Sequence, residues 1–258
     1  MNPSDIQTAG DALYEAMVQR TTITPLSTQY PDITIDDAYE IQQRMTARRL
    51  AAGERIIGKK IGVTSKAVMN MLGVFQPDFG WLTDGMVYNE GQAIEASSLI
   101  QPKAEGEIAF VLKRTLKGPG ITAADVMAAT EGVMACFEIV DSRIQDWKIK
   151  IQDTVADNAS CGVFLLGDAK GDPRKLDLQL AGMALQRNGA LHSTSVGAAV
   201  QGSPINAVVW LANTLGRLGL PFRAGEIILS GSQSPLLPVV GGDELVCTIG
   251  GLGTCRAR

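Results

Sequence analysis

Side chains on which much enzyme chemistry depends are scarce in this chain. There is one histidine, His192, in 258 residues, which rules out a histidine-rich zinc centre. His192 lies in the polar run Leu191-His192-Ser193-Thr194 and reads as a loop residue. Gly231-Ser232-Gln233-Ser234 lacks the Gly-x-Ser-x-Gly pattern of a nucleophile elbow, so serine hydrolase chemistry has little support. The four cysteines, Cys136, Cys161, Cys247 and Cys255, are scattered, without the C-x-x-C spacing of a zinc knuckle or redox pair. Cys136 and Cys247 fall in apolar runs where a thiol serves as a small core side chain. Reduced, buried cysteines in a cytoplasmic protein are the expectation.

Basic runs are also missing. No Lys/Arg block exceeds two residues and the formal net charge is −4, so the counterion-replacing stripe of a nucleic-acid binder is not there. The opening MNPSDIQTAG has neither a basic nor an apolar region of a secretory signal. No apolar run approaches membrane-spanning length, so neither nucleic acid nor membrane is an expected partner. What is present is ordinary globular composition, 45% apolar and 19% charged, in a chain long enough to bury a full core.

The pattern changes once along the chain. Residues 4–20 predict an amphipathic helix, with Ser4 and Gln7 as a capping box and Ile6, Ala9, Leu13 and Met17 on one face. A second helix opens at the capping box Thr34–Asp37 and stops near Gly53. From Arg55 onward short strands dominate: 55–63, 105–112, 133–140, 162–166, 178–187, 226–230 and 244–249. Two helices interrupt them, one capped by Thr122 and Asp125, one running from Ser203-Pro204 to Gly219. Irregular alternation disfavours a TIM barrel or doubly wound sheet. An α+β fold is expected, with a helical N-terminal region (1–54) and a strand-rich domain (55–258).

Glu105-Gly106-Glu107 heads the apolar run Ile108–Leu112. Residues two apart on a strand share a face, so these carboxylates project side by side and repel unless a cation lies between them. Glu138 interrupts a second apolar strand, Val133–Val140, where a buried carboxylate needs a partner. Three carboxylates without histidine suit Mg²⁺ or Mn²⁺. The competing reading puts Glu105 and Glu107 on a solvated face and pairs Glu138 with Arg143.

In Ile57-Gly58-Lys59-Lys60-Ile61-Gly62-Val63, Lys60 shares a strand face with Gly58 and Gly62. Bare backbone on both sides lets another group approach it closely. Lys60 could serve acid–base chemistry or guard an edge strand. Lys59, on the opposite face, reads as a surface lysine. Gln76-Pro77-Asp78-Phe79-Gly80 reads as a turn, and Asp157–Gly162 as either a cap-and-turn or a pocket wall.

Taken in order, Gly58–Ser65, Gln76–Gly80, Pro102–Glu107, Phe137–Arg143, Ala156–Ser160, Gly197–Ala199 and Gly250–Gly253 resemble the 2-keto-4-pentenoate hydratase (2-hydroxypenta-2,4-dienoate hydratase) family of aromatic meta-cleavage catabolism. That family is similar in fold to fumarylacetoacetate hydrolases, and the likeness spans essentially the whole chain. The resemblance implies a mixed β-roll and metal ligation by Glu105, Glu107 and Glu138. It also implies an active site containing Lys60 and Asp78, with Leu72 and Ser160 in its wall. A homo-oligomer, and association with the related 4-oxalocrotonate decarboxylase, are implied as well. The decarboxylase itself is the competing assignment, followed by a non-catalytic partner subunit. The acid in Pro77-Asp78-Phe79-Gly80 favours the hydratase, because water addition needs a group to position and deprotonate water. Ser193–Val196 departs mildly from the glycine-rich turn expected before Gly197.

Overall fold

The computed structural model describes the backbone of residues 1–258 and every side chain except those of Ala67, Met71 and Leu72. Helix α1 (Pro3–Gln19) begins one residue ahead of the expected capping box. The Asn2 side chain accepts the Asp5 N–H at 2.8 Å, and Pro3 brings a preset φ to the first turn. After the short α2 (Leu26–Gln29), α3 (Ile35–Ala51) opens on the expected Thr34–Asp37 box. Ala9, Leu13, Ile41 and Met45 from these helices bury against Ile144, Ile151 and Val155.

Strand β1 (Ile56–Gly62), α4 (Lys66–Leu72), β2 (Asp78–Thr83) and β3 (Val87–Asn89) lead into the long β4 (Pro102–Leu112). Helix α5 (Ala123–Ala129) precedes β5 (Thr130–Asp141), and α6 (Ile151–Ala156) precedes β6 (Cys161–Leu166). The hairpin of β7 (Gly182–Arg187) and β8 (Ala190–Val196), helix α7 (Pro204–Arg217), β9 (Ile227–Leu229) and β10 (Leu237–Pro238) follow. Strands β11 (Leu245–Ile249) and β12 (Gly253–Ala257) close the chain as a hairpin through the Gly250–Gly253 turn.

An eight-stranded sheet runs β2-β1-β9-β4-β5-β6-β3, with β10 alongside β4; a four-stranded sheet runs β12-β11-β7-β8. One face of the large sheet, through Ile108, Phe110, Phe137 and Ile139, packs on Met183, Leu185, Cys247 and Ile249 of the small one. Val208, Leu211 and Leu215 of α7 complete that core. The α+β architecture with an N-terminal helical region is as expected. All four cysteines are buried and free, and among the described residues no helix is long and apolar enough to cross a membrane.

Several local expectations fail for identifiable reasons. Asp78 is not in a turn but starts β2, pairing with Gly62 across the ladder. His192 lies on exposed strand β8, not in a loop. The segment 178–181 stays outside β7. Strands β3, β8, β10 and β12 and helices α2, α4 and α6 are too short or too polar to announce themselves by periodicity. Lys59 is 1% exposed. Its side chain enters the core face of the sheet, ion-paired to Glu226 at 2.5 Å and lying over the Trp81 and Phe222 rings. A strand inside a sheet covered on both faces has no solvent side, so the alternation that placed Lys59 opposite Lys60 did not place it in water.

Candidate active site

Five of the sequence-selected side chains stand on one face of the large sheet. Glu105 and Glu138 are directly opposite in the β4–β5 ladder, and Glu107 follows two residues on. Lys60 reaches the same face through β9, which pairs with β1 at Leu229 and with β4 at the same residue. Carboxylate oxygens of Glu105, Glu107 and Glu138 lie within 4.8 Å of one another. Glu107 Oε1 and Glu138 Oε2 are buried without a hydrogen-bond donor, and Glu138 Oε1 faces the Lys60 ammonium. Burial, then Glu138, push the Glu105 carboxyl up to about 7, against the pull of Lys60. The Glu107 carboxyl is also raised well above its usual range by burial, Glu138 and Glu105. Orphaned, mutually repelling oxygens at this spacing fit a hard divalent cation that prefers oxygen ligands. Arg143 does not serve Glu138; the Glu138 partner is Lys60, 3.1 Å from Oε1.

The Lys60 ammonium also donates to Ala159 O at 2.9 Å. Burial alone would depress it, but Glu138, Glu105 and Asp78 outweigh that and hold it above the ordinary lysine range. Asp78 is fully buried, and neither of its carboxylate oxygens has a partner. Burial raises its pKa to about 6, with Lys60 opposing. Both groups converge over Gly62, where a Cβ would collide with Asp78 Oδ1 and come within 3.3 Å of Lys60 Nζ. Gly80, opposite Lys60 in the β1–β2 ladder, leaves room for Asn158, whose Oδ1 would lie 3.0 Å from a Cβ there.

The segment reaching Lys60 is built from backbone that few residues adopt. Asn158, Ala159 and Ser160 have φ of 55°, 51° and 53°, the left-handed region that costs non-glycine residues free energy. Asn158 bridges to β2, accepting the Trp81 N–H at 2.8 Å and donating to Trp81 O at 3.0 Å. Beneath it, Arg143 Nε donates to Asp157 Oδ1 at 2.5 Å, and the same guanidinium donates to the carbonyls of Asp141, Asp157 and Cys161. From the N-terminal side, Gln42 of α3 donates to Phe79 O and Val155 O. Sequence reasoning missed this clamp; its signal was a pair of charges, Arg143 and Asp157, flanking apolar strands.

A cleft of about 470 Å³ opens onto these groups. Lys60, Asp78, Glu105 and Ser160 line it, with Val68, Val140, Trp147, Ile149 and Leu236 as its apolar wall. Lys60 is the sole cationic side chain among the described residues lining it. The Ser160 hydroxyl lies 3.3 Å from that of Thr154. Leu72 ends α4, but its side chain is outside the described residues.

The fumarylacetoacetate (FAA) hydrolase C-terminal family matches residues 62–258. A 2-hydroxypent-2,4-dienoate hydratase from Pseudomonas putida is 66% identical over 85% of this chain and 100% of its own. A 2-hydroxyhexa-2,4-dienoate hydratase from Comamonas testosteroni is 59% identical over 98% of this chain and 97% of its own. Among solved structures, 4-oxalocrotonate decarboxylase from Pseudomonas putida G7, complexed with magnesium and adipate, superposes with a TM-score of 0.96 at 34% identity. That match covers 100% of this chain and 98% of the other. The chain therefore belongs to the fumarylacetoacetate hydrolase family, in its 2-keto-4-pentenoate hydratase branch.

Proposed function

We propose that this protein is a divalent-cation-dependent hydro-lyase that adds water to 2-hydroxypenta-2,4-dienoate, yielding 4-hydroxy-2-oxopentanoate in meta-cleavage catabolism of aromatic compounds. One observation carries the reading: a buried carboxylate without hydrogen-bond partners, Asp78, stands beside Lys60 where the cleft meets the three glutamates. Hydration needs a base near neutral pH to position and deprotonate water; loss of CO₂ needs no attacking water. The wall supports the same choice. A 4-oxalocrotonate substrate carries a second carboxylate, and the lining Val68, Val140, Trp147, Ile149 and Leu236 offer it no cation. Intact acids and lysine also speak against a non-catalytic partner subunit.

Glu105, Glu107 and Glu138 would hold Mg²⁺ or Mn²⁺, which when bound supplies Lewis-acid polarisation at the substrate's 2-oxygen. Lys60, oriented by Glu138 and Ala159 O, delivers a proton to C5 and takes up the proton leaving the 2-hydroxyl. A conjugated 2-oxo-3-enoate results. Ionised Asp78 then holds a water against C4 and accepts its proton as the C4–O bond forms, and that proton passes on to C3. Ser160 belongs to the substrate wall. Residues 1–54 form a helical region that braces a catalytic domain of residues 55–258, Gln42 being one such brace. The same family reading carries a cytoplasmic homo-oligomer able to associate with 4-oxalocrotonate decarboxylase, which light scattering with and without that enzyme tests.

The deciding experiment supplies the Mn²⁺-loaded protein with freshly prepared 2-hydroxypenta-2,4-dienoate and, separately, with 4-oxalocrotonate. Formation of 4-hydroxy-2-oxopentanoate from the first, without CO₂ from the second, is the expected result. CO₂ release without hydration would overturn the assignment.

A further inference from the structure

The cleft holds a polar side chain that the scheme above leaves unused. Gln233 lines it and is 4% exposed, and neither its amide nitrogen nor its amide oxygen has a hydrogen-bond partner among the described residues. A buried amide with all its donors and acceptors idle is unfavourable in a folded protein and rare without a role. Its backbone, by contrast, is fastened, and so is the next residue. Gln233 N–H donates to Gly106 O at 3.0 Å, and Gly106 N–H donates to Ser234 Oγ at 3.3 Å. Gly231 N–H, two residues earlier, donates to Glu107 Oε2 at 2.8 Å. The turn 231–234 is thus laced across Gly106, the residue between two of the three glutamates.

A substrate carboxylate entering this end of the cleft meets few free donors. Lys60 is engaged by Glu138 and Ala159 O, and the Ser232 hydroxyl donates to Ser234 O at 2.8 Å. Both N–H groups on Gln233 Nε2, by contrast, are buried and unpaired among the described residues. We propose that Gln233 Nε2 donates to the carboxylate of the 2-hydroxydienoate and so fixes the acid end of the substrate beside the glutamates. A neutral amide suits the place. A lysine or arginine laced across Gly106 would be drawn to Glu105 or Glu107 and compete with the cation, whereas glutamine donates without adding charge. The identity of the substrate rests on the hydratase reading; the carboxylate contact does not, since any 2-oxo acid presents the same group.

Oxalate, which copies the planar acid end, is therefore the probe. Its affinity for the Mn²⁺-loaded protein is measured by calorimetry in wild type, Gln233→Met and Gln233→Glu, alongside Mn²⁺ affinity and hydration kinetics. Losing a hydrogen bond to a charged group predicts roughly ten- to hundredfold weaker oxalate binding in Q233M. KM should rise in parallel, with Mn²⁺ affinity within about twofold of wild type by the same principle. Q233E, meeting the carboxylate with a like charge, should lose more. Should Q233M fail to fold, Gln233→Asn withdraws the amide by one methylene and is expected to weaken oxalate in the same direction. Unchanged oxalate affinity and KM in a folded variant overturn the proposal, as does a loss of Mn²⁺ affinity as large as the loss of oxalate. A wild type that binds oxalate through Gln233 yet hydrates no dienoate would sink the hydratase reading while leaving this contact standing.

Discussion

Lys60 and Asp78 acquire their chemistry from the bare backbone between them. Gly62 removes the side chain that would separate the two groups, so a carboxylate whose burial raises it to about 6 stands close to an ammonium. As the proposed base, Asp78 must be ionised; kcat/KM at saturating Mn²⁺ is expected to fall as pH drops through about 6. A profile flat from pH 5 to 8 would remove Asp78 from that role. Lys60→Met takes away the proposed proton carrier but also the cation that competes for Glu138. Hydration is expected to slow by roughly 10²–10⁴-fold, the range of general acid–base catalysis, while Mn²⁺ binding by titration is no weaker than in wild type.

The 157–161 segment acts as a unit at the scale of elements. It strings three left-handed residues together and presents Ala159 O to Lys60, a conformation it keeps because Arg143 ties its carbonyls and Asp157 from below. Arg143→Met strands a buried carboxylate, and breaking such a pair costs about 3–5 kcal/mol. Urea denaturation should show a loss of that order, partly recovered when Asp157→Asn removes the stranded charge as well. Activity should fall even where the protein stays folded, because Lys60 loses its anchor. The same element shows what could be read beforehand. Its polar run was recognisable as either a turn or a pocket wall; it is both, since its backbone caps α6 while Ala159 and Ser160 face the cleft. Asp78 was misread for a related reason. Pro77 and Gly80 look like turn punctuation, but Gly80 is needed for the approach of Asn158, a residue 78 positions away.

For the whole molecule, the three glutamates proposed to hold the cation would link its binding to stability. Glu105 titrates near 7 in the folded chain against a usual 4.5. Folding therefore takes up protons between those values, and the metal-free protein loses stability as pH rises through that window, then levels off above it. A cation that binds the ionised form reverses the loss. Thermal unfolding with EDTA should give a midpoint that falls from pH 5 toward 7.5, and the gain on adding Mn²⁺ should widen over the same range. A gain independent of pH would argue against the glutamate cluster as the binding site.

The sequence alone determined which residues could share a face, because strand alternation is local. Glu105 with Glu107, and Lys60 between two glycines, follow from a period of two, as the α3 start follows from Thr34 and Asp37. Only the tertiary structure decided which faces meet. The register that sets Glu138 against Glu105 is established by strand pairing across an intervening loop and helix. Strand β9, more than 160 residues beyond Lys60 in the chain, inserts between β1 and β4 and so brings Lys60 to the acids. Burial of both sheet faces turned Lys59 inward, since alternation specifies opposite sides of a strand and leaves to packing the question of what covers each one.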